Sequence, residues 1–181
     1  MQYCSHCGSS VSLRVPAGDN LPRHVCDTCA TVHYSNPKIV AGCIVMHAGS
    51  ILICKRAIEP RKGYWTLPAG FMEHGESVLD AAAREAREEA CVEVELEALY
   101  AVVDVIHAGQ VHMMYRGRMK GPEHHPGPES LETALVSIDA IPWDELAFPS
   151  VRFTLEKYRS DLKAGSFGLH TAVFDKGPKL K

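Results

Sequence analysis

The sequence predicts a mixed α/β domain that follows a small, cysteine-rich N-terminal unit. Three observations lead to this prediction. Four of the seven cysteines fall early in the chain, apolar runs of strand length follow, and two later segments show the apolar spacing of helices. With 181 residues, 46% of them hydrophobic, the chain is long enough to bury the core of one globular domain beside a small appendage.

The N-terminal unit carries two C-x-x-C pairs, Cys4 with Cys7 and Cys26 with Cys29. Together the pairs supply the four thiolates of a structural zinc site, and their separation fits a zinc ribbon. A redox dithiol is the alternative, but a single metal explains two pairs more simply. We therefore expect a zinc ribbon over residues 1–36, with a structural or dimer-forming role.

Charge and hydropathy restrict the partners of the chain. The formal net charge of -3 provides no general attraction to nucleic acid or to an anionic membrane. No apolar run approaches the length of a membrane span, and the polar N-terminus does not fit a signal peptide. We expect a cytoplasmic protein that meets a small anionic substrate through local positive charge or bound cations.

The elements of the larger domain follow in chain order. Residues 39–46 and 51–56 read as a strand hairpin whose turn contains Gly49. The remaining elements are a strand over 64–67 stopped by Pro68, a helix over 77–90, strands over 96–105 and 111–119, a loop over 122–128, and a helix over 151–164 between Ser150 and Gly165. Residues 165–181 are expected to form a loosely ordered tail.

The helix over residues 77–90 carries an unusual charge pattern. Ser77 and Asp80 have the spacing of a capping box, and alanines dominate the interior. Helical geometry places Glu85, Glu88 and Glu89 on one side near the C-terminal end, where they repel one another and oppose the helix dipole. A solvated charged face is the ordinary explanation. A divalent cation such as magnesium, which binds carboxylate oxygens and retains waters for phosphates, is the functional one.

The surroundings of this helix favour the functional explanation. Residues 70–92 read GFMEHGESVLDAAAREAREEACV and resemble the Nudix box, G-x5-E-x7-R-E-U-x-E-E-x-G-U, in which U is aliphatic. Cys91 is the one specified position that departs, since it stands where the box has its last glycine. A left-handed conformation is often needed there, and it costs a cysteine about 1 kcal/mol. The positions in register are Gly70, Glu76, Arg84, Glu85, Ala86, Glu88, Glu89 and Val92.

The resemblance to the Nudix family implies an αβα sandwich, which we assign to residues 37–164, and magnesium-dependent (or manganese-dependent) hydrolysis of a nucleoside diphosphate derivative. The three helix glutamates resemble the family's metal ligands, and Arg84 resembles the residue that orients them. Gly70 and Glu76 match the loop and helix-entry positions. A carboxylate outside the box often acts as the general base, and the segment GPESLET offers Glu129 and Glu132.

A zinc ribbon before such a domain narrows the resemblance to two branches. The segments NPKIVAGCIV, CKRAIEP, WTLPAGF, PGPESLE and LAFPS are similar to ribbon-bearing FAD/ADP-ribose pyrophosphatases. The segment AFPSVRFTLEKY retains only part of the signature of the NADH pyrophosphatases. We therefore prefer FAD or ADP-ribose, cleaved to AMP plus FMN or ribose 5-phosphate, over NADH. A non-catalytic protein that binds a nucleotide or RNA is the second alternative. A third is an enzyme that removes oxidised nucleoside triphosphates, which the box alone does not exclude but which the ribbon disfavours.

Substrate contacts are predicted from residue type and position alone. Arg56 and Arg61 precede the box and could meet phosphates or the terminal ribose, and Phe71 could stack on a ring. His107 and His112 are interpreted as structural residues. The resemblance also favours a homodimer.

Overall fold

The structure, a computed structural model, describes residues 1–176; residues 177–181 of the predicted tail lie outside the described part. The chain divides into two compact units, the first comprising Met1–Asn36 and the second beginning at Pro37. The first unit is a three-stranded antiparallel sheet in the order β1-β2-β3. Its strands are β1 (Val11–Arg14), β2 (Arg23–Cys26) and β3 (Val32–His33).

The second unit is built on one mixed sheet in the order β10-β5-β4-β9-β8-β11, with β6 beside β5 and β7 beside β4. The pairs β4–β9 and β8–β11 are parallel, and the other pairs are antiparallel. The strands are β4 (Lys38–His47), β5 (Ser50–Arg56), β6 (Trp65–Thr66), β7 (Ala69–Phe71), β8 (Val94–Val105), β9 (Gln110–Met119), β10 (Ser130–Ser137) and β11 (His170–Phe174).

Two helices, α1 (Val78–Ala90) and α2 (Pro149–Ala164), cover opposite faces of this sheet. The alternation of side chains along β4 shows this directly, because successive strand residues point to opposite faces. Cys43 and Val45 pack in a cluster with Ala86 of α1, whereas Ile44 packs in a cluster with Leu155 of α2. The unit is therefore the expected αβα sandwich. No helix in the described residues is long and apolar enough to cross a membrane.

Several local predictions are confirmed. Strands β4 and β5 form the expected hairpin, with Gly49 in a left-handed conformation at φ 81°. Helix α1 begins with a complete capping box, since Ser77 accepts from the Asp80 amide and Asp80 accepts from the Ser77 amide. At its other end Cys91 has φ 55° and ψ 35°, the left-handed geometry that the box glycine would take without strain.

The third predicted strand ends before Pro68, as expected, and is the two-residue strand β6. The short strand β7 after Pro68 has no counterpart among the predicted elements. Two local predictions are wrong. Helix α2 begins two residues earlier than predicted, so Ser150 lies inside it. Phe148 is the N-cap and Pro149 is the first helical residue, a position at which the N–H that proline lacks would have no partner within the helix. The tail is not loose throughout, because residues of β11 pair with β8 and the side chain of Phe174 packs against the core.

Candidate active site and zinc site

The four predicted zinc ligands come together in the first unit. The sulfur atoms of Cys4, Cys7, Cys26 and Cys29 all lie within 4.8 Å of one another. The closest pairs are 3.4–3.8 Å apart, and zinc–sulfur bonds of about 2.3 Å in a tetrahedron require sulfur separations near 3.8 Å. The donor set therefore fits zinc.

Donors surround two of these sulfurs. The backbone N–H groups of Thr28 and Cys29 each approach Cys26 Sγ at 3.4 Å, and such donors favour a thiolate. The ring of His33, which the cysteine spacing does not reveal, places Nε2 at 3.3 Å from Cys4 Sγ. This histidine supports a ligand cysteine from outside the cluster.

In the second unit, Arg84 organises the acidic side of α1. Its Nε and Nη2 donate to the two carboxylate oxygens of Glu76 at 3.0 and 2.8 Å. Its Nη1 donates to Glu85 at 2.8 Å and to Glu88 at 2.9 Å, and Nη2 also donates to the carbonyl oxygen of Phe71. Because a guanidinium is planar and rigid, these bonds fix three carboxylates relative to the strand end of β7.

Gly70 leaves the room that Glu85 occupies. A Cβ atom at this position would lie 2.3–2.5 Å from three atoms of the Glu85 carboxyl group. Gly70 is also paired with Ala41 in the β7–β4 ladder, so its backbone cannot retreat freely. The need for glycine here is therefore steric, and it arises from direct contact with a candidate metal ligand.

The glutamates differ sharply in their environments. Glu85 and Glu89 are 8% and 5% exposed, whereas the side chain of Glu88 is 57% exposed. Burial raises the pKa of Glu89 to about 8, although the Ala69 amide donates to its carboxylate and favours the charged form. Burial also raises the pKa of Glu85, against the opposing effect of Arg84. A bound cation would favour the charged form of both carboxylates.

The proline-rich loop is docked on the C-terminal end of α1. The amides of His125 and Gly127 donate to the carbonyl oxygens of Ala90 and Glu89, both at 3.0 Å. These bonds satisfy helix carbonyls that have no partner within the helix. A Cβ atom on Gly127 would lie 1.7 Å from the Glu88 carbonyl oxygen, so only glycine permits this approach.

This docking separates the two candidate bases. Glu129, two residues after Gly127, lines the same cavity as the three helix glutamates. Glu132 lies on β10, where its carboxylate is 3.7 Å from Lys55 Nζ, and it is not among the residues that line the cavity. The structure therefore brings Glu129 to the acidic cluster and leaves Glu132 away from it.

A cavity of about 830 Å³ adjoins the acidic cluster, a volume near the upper end for ligand sites. The predicted contacts Arg56, Arg61, Phe71 and Gly70 all line it. Arg56 lies 5.1 Å from the centre of the Phe148 ring and donates from Nε to the Pro60 carbonyl oxygen. Arg61 lies 4.1 Å from the Tyr64 ring centre and donates to the Ala147 carbonyl oxygen. Both guanidinium groups are thus held at the cavity wall.

The cavity also includes residues that the sequence did not single out as contacts. His107 and His112, interpreted as structural, both line it, as does Gln110. His107 lies in a short 3-10 turn, Ile106–Ala108, before β9. The strand pattern around these residues predicts β-structure but gives no sign that this end of β9 faces an open cavity.

Comparison with known proteins identifies both units. The description "Nudix N-terminal", a zinc-ribbon family, matches residues 2–35, and the NUDIX domain family matches residues 36–156. A crystal structure of a NUDIX hydrolase from Nitrosomonas europaea superposes with a TM-score of 0.94 at 44% identity, covering 97% of this chain and 100% of that one.

Curated relatives are more distant. The NAD-capped RNA hydrolase NudC of Stutzerimonas stutzeri is 29% identical over 87% of this chain, which spans only 55% of that protein. The ADP-ribose pyrophosphatase of Methanocaldococcus jannaschii is 36% identical over 38% of this chain and 41% of its own length. Because the NUDIX domain match covers most of the second unit and follows a Nudix zinc ribbon, the chain belongs to the Nudix hydrolase family.

Proposed function

We propose that this protein hydrolyses the pyrophosphate bond of a nucleoside diphosphate derivative, with FAD or ADP-ribose as the preferred substrate. The products would be AMP plus FMN or ribose 5-phosphate. One observation carries the proposal: Glu85 and Glu88, both bonded by Arg84, form with Glu89 the acidic wall of a cavity whose volume of about 830 Å³ exceeds the needs of a small phosphate ester.

Glu85, Glu88 and Glu89 would hold the magnesium or manganese. Two of them, Glu85 and Glu89, are buried where their negative charge is unfavourable. A hard divalent cation binds carboxylate oxygens and would compensate that charge. When bound, the metal supplies positive charge to the pyrophosphate and increases the acidity of an attacking water. Arg84 and Glu76 would hold the carboxylates in place, and Gly70 would leave space for them.

The remaining side chains would bind and position the substrate. Glu129, beside the acidic cluster, is the better placed candidate for the general base, and Glu132 is the weaker one. Arg56 and Arg61, which also line the cavity, would meet phosphate oxygens or the ribose, and Phe71, 48% exposed, would offer a face to a ring. Cys4, Cys7, Cys26 and Cys29 would bind structural zinc in the ribbon.

NADH is the alternative substrate, and a specific observation favours it. The relative that matches the largest share of this chain among the curated proteins named above is a NudC, a hydrolase of NAD-capped RNA. The alignment covers 87% of this chain and so extends beyond the NUDIX domain match over residues 36–156, although the identity is only 29%. The shared architecture supports the reaction class more strongly than it supports the leaving group.

The test is release of AMP from FAD, ADP-ribose and NADH, with 8-oxo-dGTP scored for its monophosphate, each with and without magnesium. Magnesium-dependent cleavage of FAD or ADP-ribose well ahead of NADH supports the preferred assignment. A preference for NADH moves the protein to the alternative. No cleavage of any compound would refute the enzymatic proposal and favour a nucleotide-binding or RNA-binding protein.

A homodimer and a cytoplasmic location also stay predictions. Light scattering of the purified chain tests the first, because a monomer at micromolar concentration would contradict it. Fractionation of the source cells tests the second.

A further inference from the structure

The floor of the cavity is a patch of sheet on the face that α2 covers. Strand register places Phe71, Val40 and His112 side by side on neighbouring strands β7, β4 and β9. The next row holds Gln110 opposite Val105 of β8, which in turn is opposite Phe174 of β11. Residues directly opposite one another share a face. All six line the cavity.

This floor is apolar except for one pair. His112 Nε2 lies 2.9 Å from Gln110 Oε1, and both side chains are half-buried. Within the described residues, neither the second ring nitrogen of His112 nor the amide nitrogen of Gln110 has another hydrogen-bond partner. The two residues are two apart on β9, so both point into the cavity.

The pair keeps an unpaired donor and an unpaired acceptor in either proton arrangement. If His112 Nε2 donates to the Gln110 oxygen, Nδ1 remains an acceptor and the Gln110 amide remains a donor. If the amide of Gln110 is turned over, the ring nitrogen accepts from it, Nδ1 becomes a donor, and the amide oxygen becomes the acceptor. In both cases one residue of the pair keeps an unpaired donor and the other keeps an unpaired acceptor.

Charge is unevenly distributed around the cavity. Burial lowers the pKa of His112 to about 4, so its ring is neutral near pH 7. The carboxylates of α1 and the guanidinium groups of Arg56 and Arg61 line other parts of the wall. Lys38, which is opposite Gln110 in the ladder, places its ammonium 5.1 Å from the Phe71 ring centre and is not among the lining residues. The floor thus suits a neutral group, while phosphates belong at the charged wall.

We propose that Gln110 and His112 are specificity-determining residues that recognise a neutral heteroaromatic ring bearing both a hydrogen-bond donor and an acceptor. The ring would lie on the apolar floor near Phe71, with its polar edge toward the pair. Adenine and the pyrimidine edge of a flavin both present this pattern, whereas a bare sugar phosphate does not. This inference rests on the proposed function, because it assigns Gln110 and His112 to the part of the substrate that lies beyond the pyrophosphate.

The test compares phosphorylated ligands with and without a heteroaromatic ring. Binding of AMP, FMN and ribose 5-phosphate to the full-length protein is measured by calorimetry, for the wild type and for the double variant Gln110→Leu/His112→Leu. Both residues are replaced together, because a single substitution would leave the partner unpaired. His47→Leu, at the far end of β4, is the matched control for loss of a histidine.

The wild type should bind AMP or FMN more tightly than ribose 5-phosphate. The double variant should lose about 10- to 100-fold in affinity for the ring-bearing ligand, with little change for ribose 5-phosphate and none in the control. Whichever of AMP and FMN shows the loss identifies the ring. Equal loss for all three ligands, no loss for either ring-bearing ligand, or no advantage of AMP or FMN over ribose 5-phosphate in the wild type would overturn the proposal.

Failure of the proposed function has a different signature. A protein that cleaves no dinucleotide but still shows ring-specific loss in the double variant would refute the hydrolase assignment and leave this one intact. Conversely, an active hydrolase whose KM values for ADP-ribose and for FAD are both unchanged in the double variant would retain the function and reject the ring site.

Discussion

Substitution of Gly70 by alanine tests whether the position of one carboxylate controls the activity. The added methyl group would lie 2.3 Å from Glu85 Oε1 and 2.5 Å from Oε2, whereas ordinary contacts begin near 3.5 Å. Because Gly70 is held in the β7–β4 ladder, the carboxylate must move by about 1 Å. That movement would also weaken its 2.8 Å bond from Arg84.

A displacement of about 1 Å at a reacting centre can reduce the rate about 100-fold. We therefore expect Gly70→Ala to lower kcat/KM for ADP-ribose by about that factor and to require more magnesium for half-maximal activity. The melting temperature should change little, since the end of a glutamate side chain can adjust. Gly121→Ala is the matched control, because nothing lies within 4 Å of its added Cβ. Activity of Gly70→Ala close to that of the control would refute the steric argument.

The other predictions concern single groups. Glu88→Gln should lower kcat about 100-fold or more without unfolding, whereas Glu156→Gln on α2 should not; near-normal turnover at saturating magnesium would contradict the metal role. Cys91→Gly should relieve left-handed strain and raise the melting temperature by about 2–4 °C, with no gain for Cys91→Ala. Because the folded pKa of Glu89 is raised to about 8, metal-free protein should lose stability as pH rises from about 5 to 9. Melting temperatures measured with a chelator should therefore fall as pH rises, and added magnesium should reduce that fall. If the melting temperature of Glu89→Gln falls with pH as steeply as that of the wild type, another group causes the effect. Cys26→Ser should reduce bound zinc and melt the ribbon sheet, and full zinc occupancy in that variant would exclude this cysteine as a ligand.

The predictable parts of the site are those encoded by local periodicity. Helical spacing is enough to gather the glutamates of α1, and the capping box at Ser77 fixes where that helix begins. The left-handed residue at Cys91 was also predictable, since the box has glycine at that position. These features depend on neighbours within a few residues, which a sequence displays directly.

The unpredicted parts depend on tertiary contact. Strand β10 (Ser130–Ser137) carries little apolar alternation and exists because it pairs with β5. Strand β11 joins the sheet where Asp161 of α2 accepts hydrogen bonds from Tyr100 and His170. Gly127 matters only because a loop crosses the end of α1. These contacts join different elements of the fold, so no pattern within a single segment predicts them.

The same tertiary contacts explain how α1 tolerates its charge pattern. Arg84 neutralises Glu85 and Glu88 by direct bonds, but it makes none to Glu89, whose carboxylate receives the Ala69 amide instead. The partial negative charge at the C-terminal end of α1 would repel these carboxylates. The carbonyl oxygens at that end accept hydrogen bonds from the loop before Glu129. The unfavourable electrostatics are therefore greatest at Glu89, although burial also raises the pKa of Glu85. A cation bound there would relieve them, so the residue that most destabilises the metal-free protein should also contribute most to metal affinity.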